Sequence, residues 1–271
     1  MKTSIFIGLA IIAAFAVNCK RKLQEMPREY NQPTAPSEEA NQQAAGQPEK
    51  FIWPPVWDEK QDGPFMVSEN LLAKNYFVIL DSSGSMSEGA CNSEFGTTKS
   101  QVAKSALMAF AGQVPADANL GFMVFENAVE GAEIKERLSL GVNNRDAFRR
   151  AVDETTPQGG TPLYEAVLAG LKSLTRQAQK QLGYGEYFLV VVTDGEANPG
   201  HEPDRVVDFI VEKTPVTLYT IGFCIGSHHT LNRPGVTFYR EANNPNELAA
   251  ALQQVLAESP EFKDMGSFQQ Q

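Results

Sequence analysis

Apolar positions along this chain come in two rhythms, and each rhythm breaks where polar chemistry begins. Continuous apolar, β-branched and aromatic runs at Tyr76–Leu80, Leu120–Phe125, Tyr187–Val192 and Val216–Phe223 predict short strands buried on both faces. Glu133–Leu140 and Val236–Tyr239 predict two more strands. Between them the apolar residues recur at helical spacing. Thr98–Val114 carries Val102, Ala106, Leu107 and Phe110 on one stripe, and Pro162–Ala178 carries Leu163, Val167, Leu171 and Leu174. Arg145–Glu154, Pro203–Glu212 and Asn246–Ala257 predict further helices, the last with Leu248, Leu252, Val255 and Leu256 inward. Strand and helix in alternation imply an α/β fold, doubly wound, with a mostly parallel central sheet flanked by helices on both faces.

The first run ends in Asp81-Ser82-Ser83-Gly84-Ser85. In open α/β sheets ligands bind beyond the carboxyl ends of the strands. Asp81, Ser83 and Ser85 are hard oxygen donors of the kind that suits Mg²⁺ or Mn²⁺. Taken alone the segment reads equally as a cation loop or as a capped turn in which Asp81 and the serines only bond backbone. Two other segments fall at comparable places. Gly159-Gly160-Thr161-Pro162 opens a predicted helix, with Thr161 at the cap and Pro162 in the first turn. Thr193-Asp194-Gly195-Glu196 closes a predicted strand.

Together these three segments resemble the von Willebrand factor A family and its metal-ion-dependent adhesion site. That site needs Asp-x-Ser-x-Ser, then a distant Thr, then a distant Asp, and all five positions are filled in order by Asp81, Ser83, Ser85, Thr161 and Asp194. The resemblance covers residues 75–258. It implies that Ser83, Ser85 and Thr161 offer hydroxyls directly to Mg²⁺ (or Mn²⁺, with Ca²⁺ less suited), while Asp81 and Asp194 act mostly through bound water. It also implies a protein partner whose Asp or Glu carboxylate completes the coordination. Asp81 is also similar to the nucleophilic aspartate of haloacid-dehalogenase-like phosphatases. Those enzymes need an acid/base carboxylate two residues on, where this chain has Ser83.

Composition narrows the partners. With 42% hydrophobic and 21% charged residues the chain suits a globular core. Its net charge of −10 argues against nucleic acid and against electrostatic docking on an anionic membrane. Ile5–Val17 is an apolar run of roughly 13 residues after Lys2, the length of a secretory signal core rather than a membrane span. Cys19 stands where the run stops, which resembles a bacterial lipoprotein processing site. Ala16 and Asn18 depart from the aliphatic and small residues that site carries at those positions. Simple secretion and an uncleaved anchor are the alternatives. Residues 1–18 are therefore expected to be a signal peptide, with a lipid anchor at Cys19. The Gln-, Asn-, Pro- and Glu-rich residues 19–50 are expected to form a disordered tether. Residues 51–74 are expected to form an aromatic arm packed on the domain, with a partner-binding segment at Phe51–Trp57 as the alternative, and 259–271 a tail.

Cys91 and Cys224 remain. An even remainder in an exported chain suggests a disulfide, provided the two Cα atoms come within about 7 Å; two free thiols are the alternative. Gly222-Phe223-Cys224-Ile225-Gly226 has the outline of a nucleophile elbow with His228 and His229 nearby, but the residues after Cys224 read as loop and not as the required helix. The expectation is a protein that is not an enzyme: an exported protein of the bacterial envelope, at the outer membrane or cell surface, that binds a partner through a divalent cation. A structural envelope protein whose metal only stabilises the domain is the alternative, and a hydrolase centred on Cys224 a remote one.

Overall fold

The structure is a computed structural model that describes residues 53–55, 66–128 and 131–257. The expected leader with Cys19, the tether and the tail at 259–271 lie outside the described residues. Six strands form one sheet in the order β3-β2-β1-β4-β5-β6. They are β1 (Lys74–Asp81), β2 (Asn119–Ala128), β3 (Gly131–Gly141), β4 (Glu186–Thr193), β5 (Val216–Phe223) and β6 (Phe238–Ala242). All neighbours pair in parallel except β2 and β3, so the antiparallel strand sits on one edge. The helices are α1 (Lys99–Gln113), α2 (Arg145–Asp153), α3 (Leu163–Lys180), α4 (Asp204–Lys213) and α5 (Pro245–Ala257). The doubly wound, mostly parallel architecture expected from the pattern is the one found.

The continuous apolar strands are explained by burial on both faces. Along β1, Tyr76, Val78 and Leu80 pack with α1, α2 and α5, while Phe77 and Ile79 pack with α3 and α4. Helix α1 starts sharply because Thr98 and Gln101 cap each other. The Thr98 hydroxyl accepts the Gln101 N–H at 3.2 Å, and the Thr98 N–H donates to Gln101 Oε1 at 2.9 Å. At Gly170, α3 comes so close to the sheet that a Cβ would lie 2.7 Å from Leu189 Cδ1 and 2.9 Å from Ile79 Cδ1.

Most boundaries shift by one to three residues, and the sixth strand is displaced as a whole. The sixth strand runs over Phe238–Ala242 instead of Val236–Tyr239, because turn bonds hold the preceding residues. Val236 and Thr237 donate N–H groups to the Arg233 carbonyl at 2.9 and 3.0 Å, and Gly235 takes φ 76°. The Pro234-Gly235 turn thus extends two residues beyond its punctuation.

At the amino ends of the strands, buried polar side chains tie three elements together. Asn119 Nδ2 donates to Asn75 Oδ1, and Asn75 Nδ2 donates to Gln181 Oε1, each at 2.8 Å. At this same end the Trp53 ring meets Tyr187 edge-on, centroids 5.6 Å apart, and Gln179 Nε2 donates to the Pro55 carbonyl at 2.9 Å. Among the described residues no helix is long and apolar enough to cross a membrane.

Gly170→Val places a branched side chain in the close approach of α3 to β1 and β4. It is expected to lower stability by about 2–3 kcal/mol in urea unfolding; an unchanged midpoint would show that Ile79 and Leu189 repack freely.

Candidate metal centre

Strand order reverses between β1 and β4: the chain leaves β1 toward β2 on one side and returns with β4 on the other. That topological switch point leaves a crevice beyond the carboxyl ends of the two strands. Asp81 ends β1, fully buried, and Asp194 follows β4, 4% exposed. Asp81 Oδ1 accepts the Ser83 N–H at 2.8 Å, and Oδ2 accepts the Thr193 hydroxyl at 2.6 Å. The chain then tightens into a 3-10 turn, Gly84–Ser87. Ser83 and Ser85 hydroxyls stand 3.0 Å apart, and Ser85 donates to Asp194 Oδ1 at 2.9 Å. With its single proton on Asp194, Ser85 receives that of Ser83.

Thr161 arrives on a third loop. Gly159 holds φ 79°, a left-handed backbone open to glycine, and its carbonyl accepts the Gly84 N–H at 2.9 Å. The Gln158 N–H donates to the Ser82 carbonyl at 2.6 Å. Both bonds stitch this loop to the Asp81 loop and bring Thr161, 6% exposed, to the same edge. Its hydroxyl stands beside Gly195, 3.6 Å from where a Cβ there would lie. The expected cap is corrected: α3 begins at Leu163 with Pro162 at the N-cap, and no side chain caps it. The Asn198 N–H fixes the Thr161 carbonyl at 3.0 Å, which keeps Thr161 outside the helix and its hydroxyl out of capping. All five expected residues therefore lie on one edge, contributed by three loops.

Several supporting residues were not anticipated. Thr193 is one. Lys99 is another: its Nζ donates to Asp194 Oδ2 at 2.9 Å and to Glu88 Oε2 at 3.1 Å. His229 donates from Nε2 to the Gly195 carbonyl at 2.9 Å while Nδ1 accepts the Leu231 N–H at 2.9 Å, an arrangement that fits a neutral ring. Cys91 and Cys224 form a disulfide with Cα atoms 5.6 Å apart, joining the loop after the 3-10 turn to the loop after β5. The nucleophile reading at Cys224 is set aside on geometry, since its sulfur is bonded and β5 is followed by loop and β6 rather than a helix.

Electrostatics set the character of the edge. Burial, and then the charge of Asp194, push the Asp81 carboxyl up to about 6, against the hydrogen bonds from Ser83 and Thr193. Burial pulls the Lys99 ammonium down, but the hydrogen bond and charge of Asp194, with those of Glu88, outweigh it and hold it above its usual range. Among the described residues no group of three or more His, Cys, Asp or Glu side chains could hold a metal. The edge instead gathers two carboxylates and three hydroxyls, an all-oxygen set that fits a hard divalent cation and leaves positions for water.

A mixed α/β sheet carries this edge at its switch point, and comparison with known proteins shows what the chain is similar to. Residues 76–196 match the family model of the von Willebrand factor type A domain. The chain is similar to the uncharacterized protein YwmD of Bacillus subtilis (strain 168), 24% identical over 203 residues, covering 69% of this chain and 87% of that one. Among solved structures it is similar to the conserved hypothetical protein BatB from Bacteroides thetaiotaomicron, with TM-score 0.52 and 16% identity over 68% of this chain and 98% of that one. It is also similar to the manganese-loaded TRAP protein of Plasmodium vivax, with TM-score 0.50 and 20% identity over 69% of this chain and 74% of that one. At these identities the structural likenesses speak to the fold.

In metal-free protein the raised Asp81 value gives a signed pH dependence. Between 3.8 and about 6 the folded chain holds a proton that the unfolded chain has released. Stability is therefore greatest below that window and falls as pH rises through it, by about 2–3 kcal/mol. In EDTA, Asp81→Asn should flatten this fall between pH 4 and 7 in urea unfolding; an equal slope in both proteins would refute the assignment.

Proposed function

We propose that residues 75–258 form a von Willebrand factor A-type domain that binds a protein partner through a divalent cation at this edge. The convergence of Asp81, Ser83, Ser85, Thr161 and Asp194 at the switch point carries the proposal. When bound there, Mg²⁺ or Mn²⁺ supplies an electrophilic centre whose coordination an Asp or Glu carboxylate of a partner completes. The protein's own part is positional. Ser83, Ser85 and Thr161 present neutral oxygens, so they quench little of a cation's charge. Asp81 and Asp194 lend negative charge while their oxygens stay engaged with Ser83, Thr193, Ser85 and Lys99.

Those same bonds favour partner binding over a stabilising role. Each oxygen of Asp81 and Asp194 has a protein donor, and Gln158 and Gly159 bond the third loop to the first, so the three loops close on hydrogen bonds of their own. The chemistry is recognition, and we assign no catalytic residue. From the leader-like run and Cys19 we propose export to the bacterial envelope and an N-terminal lipid anchor.

Thr161→Ala and Ser83→Ala should each weaken Mn²⁺ binding by at least about tenfold in isothermal titration, with unchanged far-UV circular dichroism. Absence of Mg²⁺ or Mn²⁺ heat in the wild type would sink the site. Capture of a partner from envelope extract should fail in EDTA and with Thr161→Ala; capture that survives EDTA would favour the structural alternative.

A further inference from the structure

Lys99 stands where elementary electrostatics discourages a cation. It is the first residue of α1, at the end of the helix where the macrodipole is positive, and its side chain is only 11% exposed. A buried ammonium at a helix amino terminus persists only when carboxylates hold it. The two that do are unequal. Glu88 is largely exposed, with a side chain 69% accessible, and its charge is well screened. Asp194 is dry, and its Oδ2 meets Lys99 at 2.9 Å while its Oδ1 meets Ser85. Lys99 thus spends its charge on a carboxylate of the metal edge, from an element that carries none of the five site residues.

We propose that Lys99 sets the charge of the edge, and so its ligand class: by neutralising Asp194 it leaves the cation-loaded site net positive and selective for an anionic carboxylate. This rests on the cation reading above. Asp81, Asp194 and Lys99 together carry one negative charge, so a divalent cation brings the site to one positive charge. Without the ammonium the same site would be neutral, and an incoming carboxylate would gain less from it. The arrangement also weakens the cation's own hold, because a fixed positive charge lies one carboxylate away. Lys99 also engages Asp194 Oδ2, the oxygen with which that side chain could otherwise turn toward a bound cation. Lys99 acts through Asp194 as a positioning residue, trading cation affinity for anion selectivity.

The test uses full-length wild type, Lys99→Gln, Lys99→Met and Lys99→Arg. Mn²⁺ affinity is read from the electron paramagnetic resonance of free Mn²⁺, and acetate binding from loss of water proton relaxation on the Mn²⁺-loaded protein. Lys99→Gln keeps an N–H donor and loses the charge, so it should bind Mn²⁺ about tenfold tighter and need about fivefold more acetate for half-displacement. Lys99→Arg should match the wild type in both. Unchanged or weaker Mn²⁺ binding by Lys99→Gln, or an unchanged acetate response, overturns the proposal. If Lys99→Gln fails to fold, Lys99→Met carries the same expectations. Failure of both to fold overturns the proposal in favour of a purely structural ion pair. No Mn²⁺ binding by any form, wild type included, would instead remove the cation reading itself.

Discussion

Two carboxylates held dry at the ends of neighbouring strands are the constraint that shapes this domain. Asp81 ends β1 and Asp194 follows β4, strands that pair in register up to Leu80 and Val192, so their charges are brought together by the sheet itself. The result is a repulsion between like charges. It is managed locally by the Ser83 N–H, the Thr193 and Ser85 hydroxyls and the Lys99 ammonium. The loop at Gln158–Thr161 adds the third hydroxyl by bonding its backbone to the Asp81 loop. An edge built this way is short of positive charge, and a hard cation is the species that oxygen donors of this kind accommodate.

Most of this architecture was legible because burial on two faces writes a simple signal. A strand packed against helices on both sides must be apolar at every position, and Tyr76–Leu80 and Tyr187–Val192 read that way without ambiguity. The five oxygen donors were legible for a different reason. Each stands where a strand ends or a helix opens, and their order along the chain is specific. What escaped notice depends on contacts that sequence spacing does not encode. Lys99 looks like any polar residue at a helix start, and its partner Asp194 lies 95 positions away. Thr193 reads as the last strand residue, although its hydroxyl holds Asp81. The polar clamp of Asn75, Asn119 and Gln181 is equally silent, since each residue alone would pass for a turn former. At β6 the apolar pair Val236 and Phe238 outweighed the turn that Arg233–Thr237 forms.

The loops around the edge are fixed to different degrees. The disulfide joins the loop bearing Cys91 to the one bearing Cys224, and His229 pins the latter's continuation to Gly195. These ties stand beside the site without supplying any of its oxygens. They fix the rim of the edge from elements that carry none of its five oxygen donors.

The polarity of β1 has a mechanical consequence. The Trp53–Pro55 contacts and the Asn75 clamp lie at its amino end, and Asp81 lies at its carboxyl end, about 20 Å from Asn75 along the strand. A pull between a partner seated on the metal edge and the chain entering at residue 74 would run straight along this one strand. The strand is hydrogen-bonded to β2 on one side and β4 on the other, so it could slide only by shearing two ladders at once. Tension would be carried by the covalent backbone and shared by both neighbours. Asp81 is thereby fastened to a strand that both of its neighbours hold.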